Sequence, residues 1–188
     1  PVFVDSEIET WCMDPSLVEK AITDRTRAII PVHLYGHPAQ MGQIMDIAKK
    51  HNLIVIEDAA EAHGSKYGNI KVGSLGDIGI FSFYGNKVIT TGEGGMVVTN
   101  NNKIAKKIKL LRDHGMDRNL GYWHTTLGFN YRMTNLQAAV GTAQMEKIEL
   151  ILNKKINIAA IYERNLKDII GLTLPKEAPW ATNIYWLY

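Results

Sequence analysis

The feature that most constrains this chain is an alternation of helical segments and short apolar runs across its first 58 residues. "DPSLVEKAI" opens with Asp14, a helix-capping residue, and Pro15, whose fixed φ suits the first helical position; Leu17, Val18, Ala21 and Ile22 then form one apolar stripe. "RAIIPVHL" reads as a strand, "AQMGQIMDIAKKHN" as a helix and "LIVIED" as a second strand. The strand runs are nearly continuous in Val, Ile and Leu, as expected where both faces of a parallel sheet are covered. This is a βαβ unit, and it places the chain in the α/β class. "GDIGIFSF" and "GGMVVTN" predict two more strands, and "VFVD" at the start predicts another.

After Asn100 the pattern turns helical. "NKIAKKIKLLRDHG" puts Ile104, Ile108 and Leu111 at helical spacing and closes on Gly115. Its lysines read as a solvated face, because the whole chain carries a formal charge of only +2. Residues 114–132 read as an irregular loop rich in glycine and aromatics. Thr134, with Gln137 three positions on, is a capping-box pattern that opens one helix of some 30 residues, reaching Leu166. Such a helix would brace a domain, join two, or line an oligomer interface. The resulting division is 1–133 as the main domain, 134–168 as the long helix and 169–188 as the start of a smaller domain.

Composition excludes several function classes. With 188 residues, 46% hydrophobic and 21% charged, the chain reads as globular, and its balanced charge argues against a nucleic-acid partner. A single cysteine, Cys12, permits no internal disulfide and suits a reducing compartment. No apolar run approaches the roughly 18 residues of a membrane helix, so no membrane partner is expected and the cytoplasm is the default location. The chain starts at Pro1 and stops at "NIYWLY"; both ends read as cuts through structure.

The chemistry concentrates in "FSFYGNKVITTGEGG", residues 81–95, where Lys87 sits between an aromatic run and a glycine cluster. An ATPase-type phosphate loop needs its lysine directly before Ser or Thr and a following helix; here Val88 follows, and "VITTG" does not open a helix. A dinucleotide fingerprint needs glycines that open a helix, whereas "GEGGMVV" leads into a strand. A third possibility is a lysine that condenses with a carbonyl cofactor. Pyridoxal phosphate requires such a lysine and an acid at its ring nitrogen. Asp58 lies at the end of a parallel strand, where ligands collect in open α/β sheets, and Ser82 offers a hydroxyl for a phosphate. On spacing alone, a surface cation at Lys87, a cap at Asp58 and a core hydroxyl at Ser82 fit equally well. His33 and His37 flank "LYG" within reach of a sugar, without the carboxylate or thiol spacing of a metal site. His63 reads as a satisfied structural histidine.

Taken together and in order, "VIEDAAEAHGS", "GDIGIFSFYGNKVITTGEGGMVVTN", "LRDHG" and "LGFNYRMTNLQAAVG" resemble the DegT/DnrJ/EryC1/StrS family of nucleotide-sugar aminotransferases over nearly the whole chain. The resemblance implies the large domain of a fold type I pyridoxal-phosphate (PLP) enzyme, with a parallel-rich mixed sheet flanked by helices. It implies that Lys87 forms the internal aldimine and moves protons, that Asp58 meets the ring nitrogen, and that Ala60 lies against the ring. Glu61 stands where many members carry Gln near the ring hydroxyl, and Tyr84 where many have His. Ser82 matches a phosphate ligand. Asn130 matches an asparagine that reaches the phosphate of the neighbouring subunit, which implies a homodimer, and Arg132 organises that loop. The implied reaction carries the amino group of glutamate to a keto sugar nucleotide, nearest in wording to members that aminate C4 of GDP-4-keto-6-deoxymannose for polysaccharide synthesis. Sister 3-dehydratases replace the aldimine lysine by His, so Lys87 favours amino transfer. Another sugar nucleotide, or a regulatory relative without turnover, is the alternative.

Overall fold

The computed structural model describes residues 1–188. A four-stranded sheet carries the strands β1 (Ala28–Ile29), β2 (Ile54–Asp58), β5 (Ile78–Ser82) and β6 (Gly95–Val98) side by side in that order. β1 and β2 are parallel, as are β2 and β5, while β6 returns antiparallel to β5. A hairpin of β3 (Lys66–Tyr67) and β4 (Ile70–Lys71) links β2 to β5, and β9 (Ala181–Thr182) pairs with β3. β7 (Met116–Asp117) and β8 (Trp123–His124) pair with each other inside the 114–132 loop.

Two helices cover one face of the sheet. In α1 (Pro15–Ala21) Asp14 accepts the Ser16 N–H at 2.8 Å with Pro15 next to it, as the sequence predicts. In α2 (Met41–His51) Met41, Ile44 and Ala48 recur at helical spacing and are buried against Ile29 and Val55. Asn52 stops α2 by turning left-handed (φ 52°, ψ 46°), its N–H bonding the carbonyls of Ala48 and Lys49.

Several expectations need correction. "RAIIPVHL" is a regular strand only at Ala28–Ile29, because Pro31 has no N–H to give the ladder. Pairing nevertheless resumes beyond it: Asp58 N–H bonds Pro31 O at 2.9 Å, and His33 N–H bonds Asp58 O at 3.0 Å. "VFVD" forms no strand; Asp5 O accepts the Asp14 N–H at 3.0 Å beside an isolated bridge of Ser6 to Met13, but Val2 and Phe3 are exposed. The two faces of the sheet are covered unequally, with Ile56, Ile78 and Ile80 of the second face only half-buried. Val55 and Glu57 of β2 point into the core, whereas Ile54 on the other face is 41% exposed.

The predicted 30-residue helix is two helices, α4 (Asn135–Met145) and α5 (Ile148–Leu166). The capping box at Thr134 and Gln137 is present. At Lys147 the backbone moves to φ −108°, ψ 6°, and its N–H bonds Gln144 O, three residues back. The end of α4 is tied sideways: Gln144 Oε1 accepts the Thr90 N–H at 2.9 Å, and Leu152 of α5 enters a second core with Phe83, Val88 and Ile89. Two tertiary attachments therefore divide a run whose helix propensity is unbroken. α3 (Asn102–Leu111) forms where predicted, capped by Asn101, but none of its residues is buried.

Candidate active site

Parallel strands leave their carboxyl ends at one edge of a sheet, and the site residues meet there. Asp58 ends β2 and Ser82 ends β5, with Asp58 in register with Ile80 and the Ala59 N–H on Ile80 O. Residues 83–94 then loop over this edge before β6 begins. Lys87 is presented by a tight turn, its N–H bonding Tyr84 O at 3.0 Å, and the buried Val88 and Ile89 anchor the chain after it. No helix follows, so the phosphate-loop reading is excluded by structure as well as by spacing. The glycine cluster serves the turn. Gly94 adopts φ 150°, where an added Cβ would lie 2.8 Å from Met133 Cε, and its carbonyl takes the Phe83 N–H.

The Lys87 ammonium is 3.6 Å from Glu61 Oε1, and its side chain is only 12% exposed. The other Glu61 oxygen accepts the Tyr35 N–H at 2.9 Å. Tyr35 holds φ 53°, a conformation bulky residues rarely adopt, and this turns its N–H toward Glu61. On the other side Lys87 Nζ sits 4.0 Å from the centre of the Trp186 ring, well inside cation–π range. Sequence reading missed both Tyr35 and Trp186. The first acts through its backbone, and the second lies 99 positions after Lys87 (186 − 87), where no local pattern points back to the lysine.

Asp58 Oδ1 accepts the Ala60 N–H at 3.1 Å, and the carboxylate is paired with no cation of the chain. Ser82 Oγ accepts the Tyr84 N–H at 3.3 Å and keeps its own proton for another acceptor. A half-buried lysine, an unpaired carboxylate and a free hydroxyl donor at one sheet edge suit a carbonyl-bearing, cationic-ring phosphate. These residues fit PLP. Ala60 lies between Asp58 and Glu61 with the smallest side chain that is not glycine, consistent with a flat ring above it.

The histidines depart from expectation. His33 does not face a sugar; it is fully buried, and its Nδ1 accepts the Ala39 N–H at 2.9 Å. Its Nε2 therefore carries the proton and donates to Glu57 Oε2 at 3.1 Å. Burial alone would raise the Glu57 carboxyl, but the His33 hydrogen bond and the N–H groups of Gly76 and Gly73 outweigh it and hold the carboxyl below its ordinary value. His37 is also internal, with Nδ1 on Pro38 O and Nε2 accepting the Ala178 N–H. His63 is not satisfied: both ring nitrogens are buried without a hydrogen-bond partner, between Phe81 and Phe83. Burial and the adjacent Lys87 charge push it down to about 4; the Ser82 backbone favours the protonated ring but does not reach hydrogen-bond geometry.

Asn130 stands apart from Lys87, Asp58 and Ser82; its backbone bridges Asp113, and it lines a separate cleft with Arg132 and Thr134. Arg132 lies 3.5 Å from Asp113, which also takes two hydrogen bonds from Arg118, so Arg132 helps hold its own loop.

The model of the DegT/DnrJ/EryC1/StrS aminotransferase family matches residues 1–188. GDP-perosamine synthase of Caulobacter vibrioides is 49% identical over 189 residues, covering 100% of this chain and 51% of its own. GDP-perosamine synthase of Escherichia coli O157:H7 is 49% identical over 187 residues, with the same coverage. The crystal structure of S. venezuelae DesV in complex with a ketimine intermediate superposes with a TM-score of 0.95 at 39% identity, over 100% of this chain and 50% of DesV. The chain thus spans about half the length of the curated relatives it matches. Its fold is that of the PLP-dependent sugar aminotransferases, and the chain belongs to the DegT/DnrJ/EryC1/StrS aminotransferase family.

Proposed function

We propose that the protein is a PLP-dependent aminotransferase that moves the amino group of glutamate to C4 of GDP-4-keto-6-deoxymannose, giving GDP-perosamine for O-antigen polysaccharide. The observation that carries this reading is Lys87, half-enclosed beside Glu61 at the sheet edge where Asp58 offers an unpaired carboxylate. The 49% identity to two GDP-perosamine synthases supports the sugar assignment. When bound, PLP supplies an electron sink that stabilises negative charge at the carbon losing or gaining a proton. Asp58 would hold the proton on the ring nitrogen, Ser82 would donate to the phosphate, and Ala60 would leave room for the ring. Lys87 would hold the cofactor and then, as a free amine, carry the proton at the reacting carbon. Glu61 is placed to orient the lysine nitrogen while that proton is held there. Asn130, remote from Lys87 within the chain, would serve the site of a second subunit in a homodimer.

The test uses the intact protein. Borohydride reduction after loading with PLP, followed by peptide mapping, is expected to place the adduct on Lys87, and Lys87→Ala to abolish both adduct and turnover. Glutamate with a panel of keto sugar nucleotides then reads the substrate by mass spectrometry of the product. Amination of a UDP or dTDP sugar in preference to the GDP sugar overturns the sugar assignment, and an active alanine variant overturns the mechanism.

A further inference from the structure

We infer that Trp186 is a positioning residue for Lys87, holding the site lysine from 99 positions further along the sequence (186 − 87). Two independent contacts run from one side chain. The indole face lies 4.0 Å from Lys87 Nζ, and the indole N–H donates to Asn86 O at 2.9 Å, within the turn that presents the lysine. Trp186 is itself fixed. It is buried in the core formed by Phe83, Val88, Ile89 and Leu152, and its backbone N–H bonds Tyr35 O at 2.8 Å. Tyr35 stacks on the indole at 6.3 Å between ring centres and gives its own N–H to Glu61, the carboxylate facing Lys87.

The contacts close into a ring: Lys87 to Glu61, Glu61 to Tyr35, Tyr35 to Trp186, and Trp186 back to Lys87. Its members come from four separate stretches of the chain. The carboxylate and the indole face flank the lysine nitrogen, so its position is set by both together. The Gly36 backbone makes the junction possible, since at φ 98° an added Cβ would fall 3.1 Å from the Trp186 nitrogen. The cofactor role of Lys87 rests on the reading above, whereas the contact with Trp186 does not depend on it.

The experiment separates the two. In intact, cofactor-free protein, limited reductive methylation followed by peptide mass spectrometry gives the labelling rate of each lysine. Trp186→Leu removes the face that attracts and covers the ammonium. Lys87 labelling is expected to rise by roughly 2- to 30-fold, the range a cation–π contact spans, with Lys71 on β4 unchanged as the control. Trp186→Phe keeps a weaker face and loses the bond to Asn86, so a smaller rise is expected. The same variants are then loaded with PLP. The leucine variant is expected to give an altered visible band and slower formation of the Lys87 adduct, with partial rescue by phenylalanine. Equal labelling of Lys87 in wild type and a folded leucine variant overturns the inference. If the leucine variant loses the fold, the phenylalanine variant decides: a rise at Lys87 above the Lys71 control supports the contact, and equality overturns it. Absence of a PLP adduct in wild type, with the labelling contrast intact, refutes the cofactor reading and leaves the positioning contact standing.

Discussion

His63 is the residue of the site most sensitive to acid. Its ring is held to about 4 by burial and by the Lys87 charge, against 6.5 for the ordinary side chain. Between those values the unfolded chain binds a proton that the native protein refuses, so stability is full above pH 6.5 and falls as pH drops toward 4. The full shift corresponds to roughly 3 kcal/mol. His37, also lowered by burial, acts in the same direction. Glu57, lowered in spite of burial, contributes above its ordinary value of 4.5 and loses its share only below it. Urea unfolding of the intact protein at pH 7, 5.5 and 4.5 is expected to show a steep loss of stability that His63→Phe makes shallower; an unchanged slope would contradict the burial of an unpartnered ring. Lys87, Asp58 and Ser82 are legible as candidates in the sequence because they stand at predicted strand ends and turns, whereas Glu61 is marked only by the family resemblance. The unpartnered state of His63 is not, since its neighbours Phe81, Phe83 and Lys87 are brought to it by the pairing of β2 with β5.

At the scale of elements, local chemistry reads well where it is self-contained. Thr134 and Gln137 form their capping box within four residues, and Thr134→Ala is expected to cost about 1 kcal/mol, read as a lower thermal midpoint. Ile44 is fully buried on α2 against the sheet, so Ile44→Ala should cost roughly 2–5 kcal/mol in equilibrium unfolding, most of it from the cavity left behind. A loss below about 1 kcal/mol would mean that α2 does not form this core. The elements that escape sequence reading are those set by distant contacts. Nothing at Glu146 and Lys147 breaks a helix by propensity; the break follows from Gln144 binding the Thr90 backbone and Leu152 packing close to Gly64. Pro31 has the opposite effect: it interrupts a strand that the surrounding apolar residues favour, yet the ladder recovers two residues later because Pro31 still offers its carbonyl.

For the whole molecule, the uncovered surfaces bear on assembly. Leu136 of α4 is 83% exposed, and Tyr131 and Tyr122 on the preceding loop are exposed as well, close in sequence to Asn130. In the proposed homodimer Asn130 would reach the phosphate held in the partner's site, beside the partner's own lysine. Mixing inactive Lys87→Ala and Asn130→Ala subunits of the intact protein is therefore expected to restore activity, because the hybrid contains one site with both residues. No recovery on subunit exchange would place Asn130 outside the partner's site. The sequence by itself determined the α/β class and the order of the main helices and strands, and it marked Lys87, Asp58 and Ser82 as candidates, because apolar periodicity, caps and strand-end motifs act over a few residues. Only the tertiary structure decided that the two sheet faces are unequally covered, that the long helix is divided, and that Lys87 lies between Glu61 and Trp186. Those features depend on contacts between segments tens of residues apart, whose free energy appears only once the chain has brought them together.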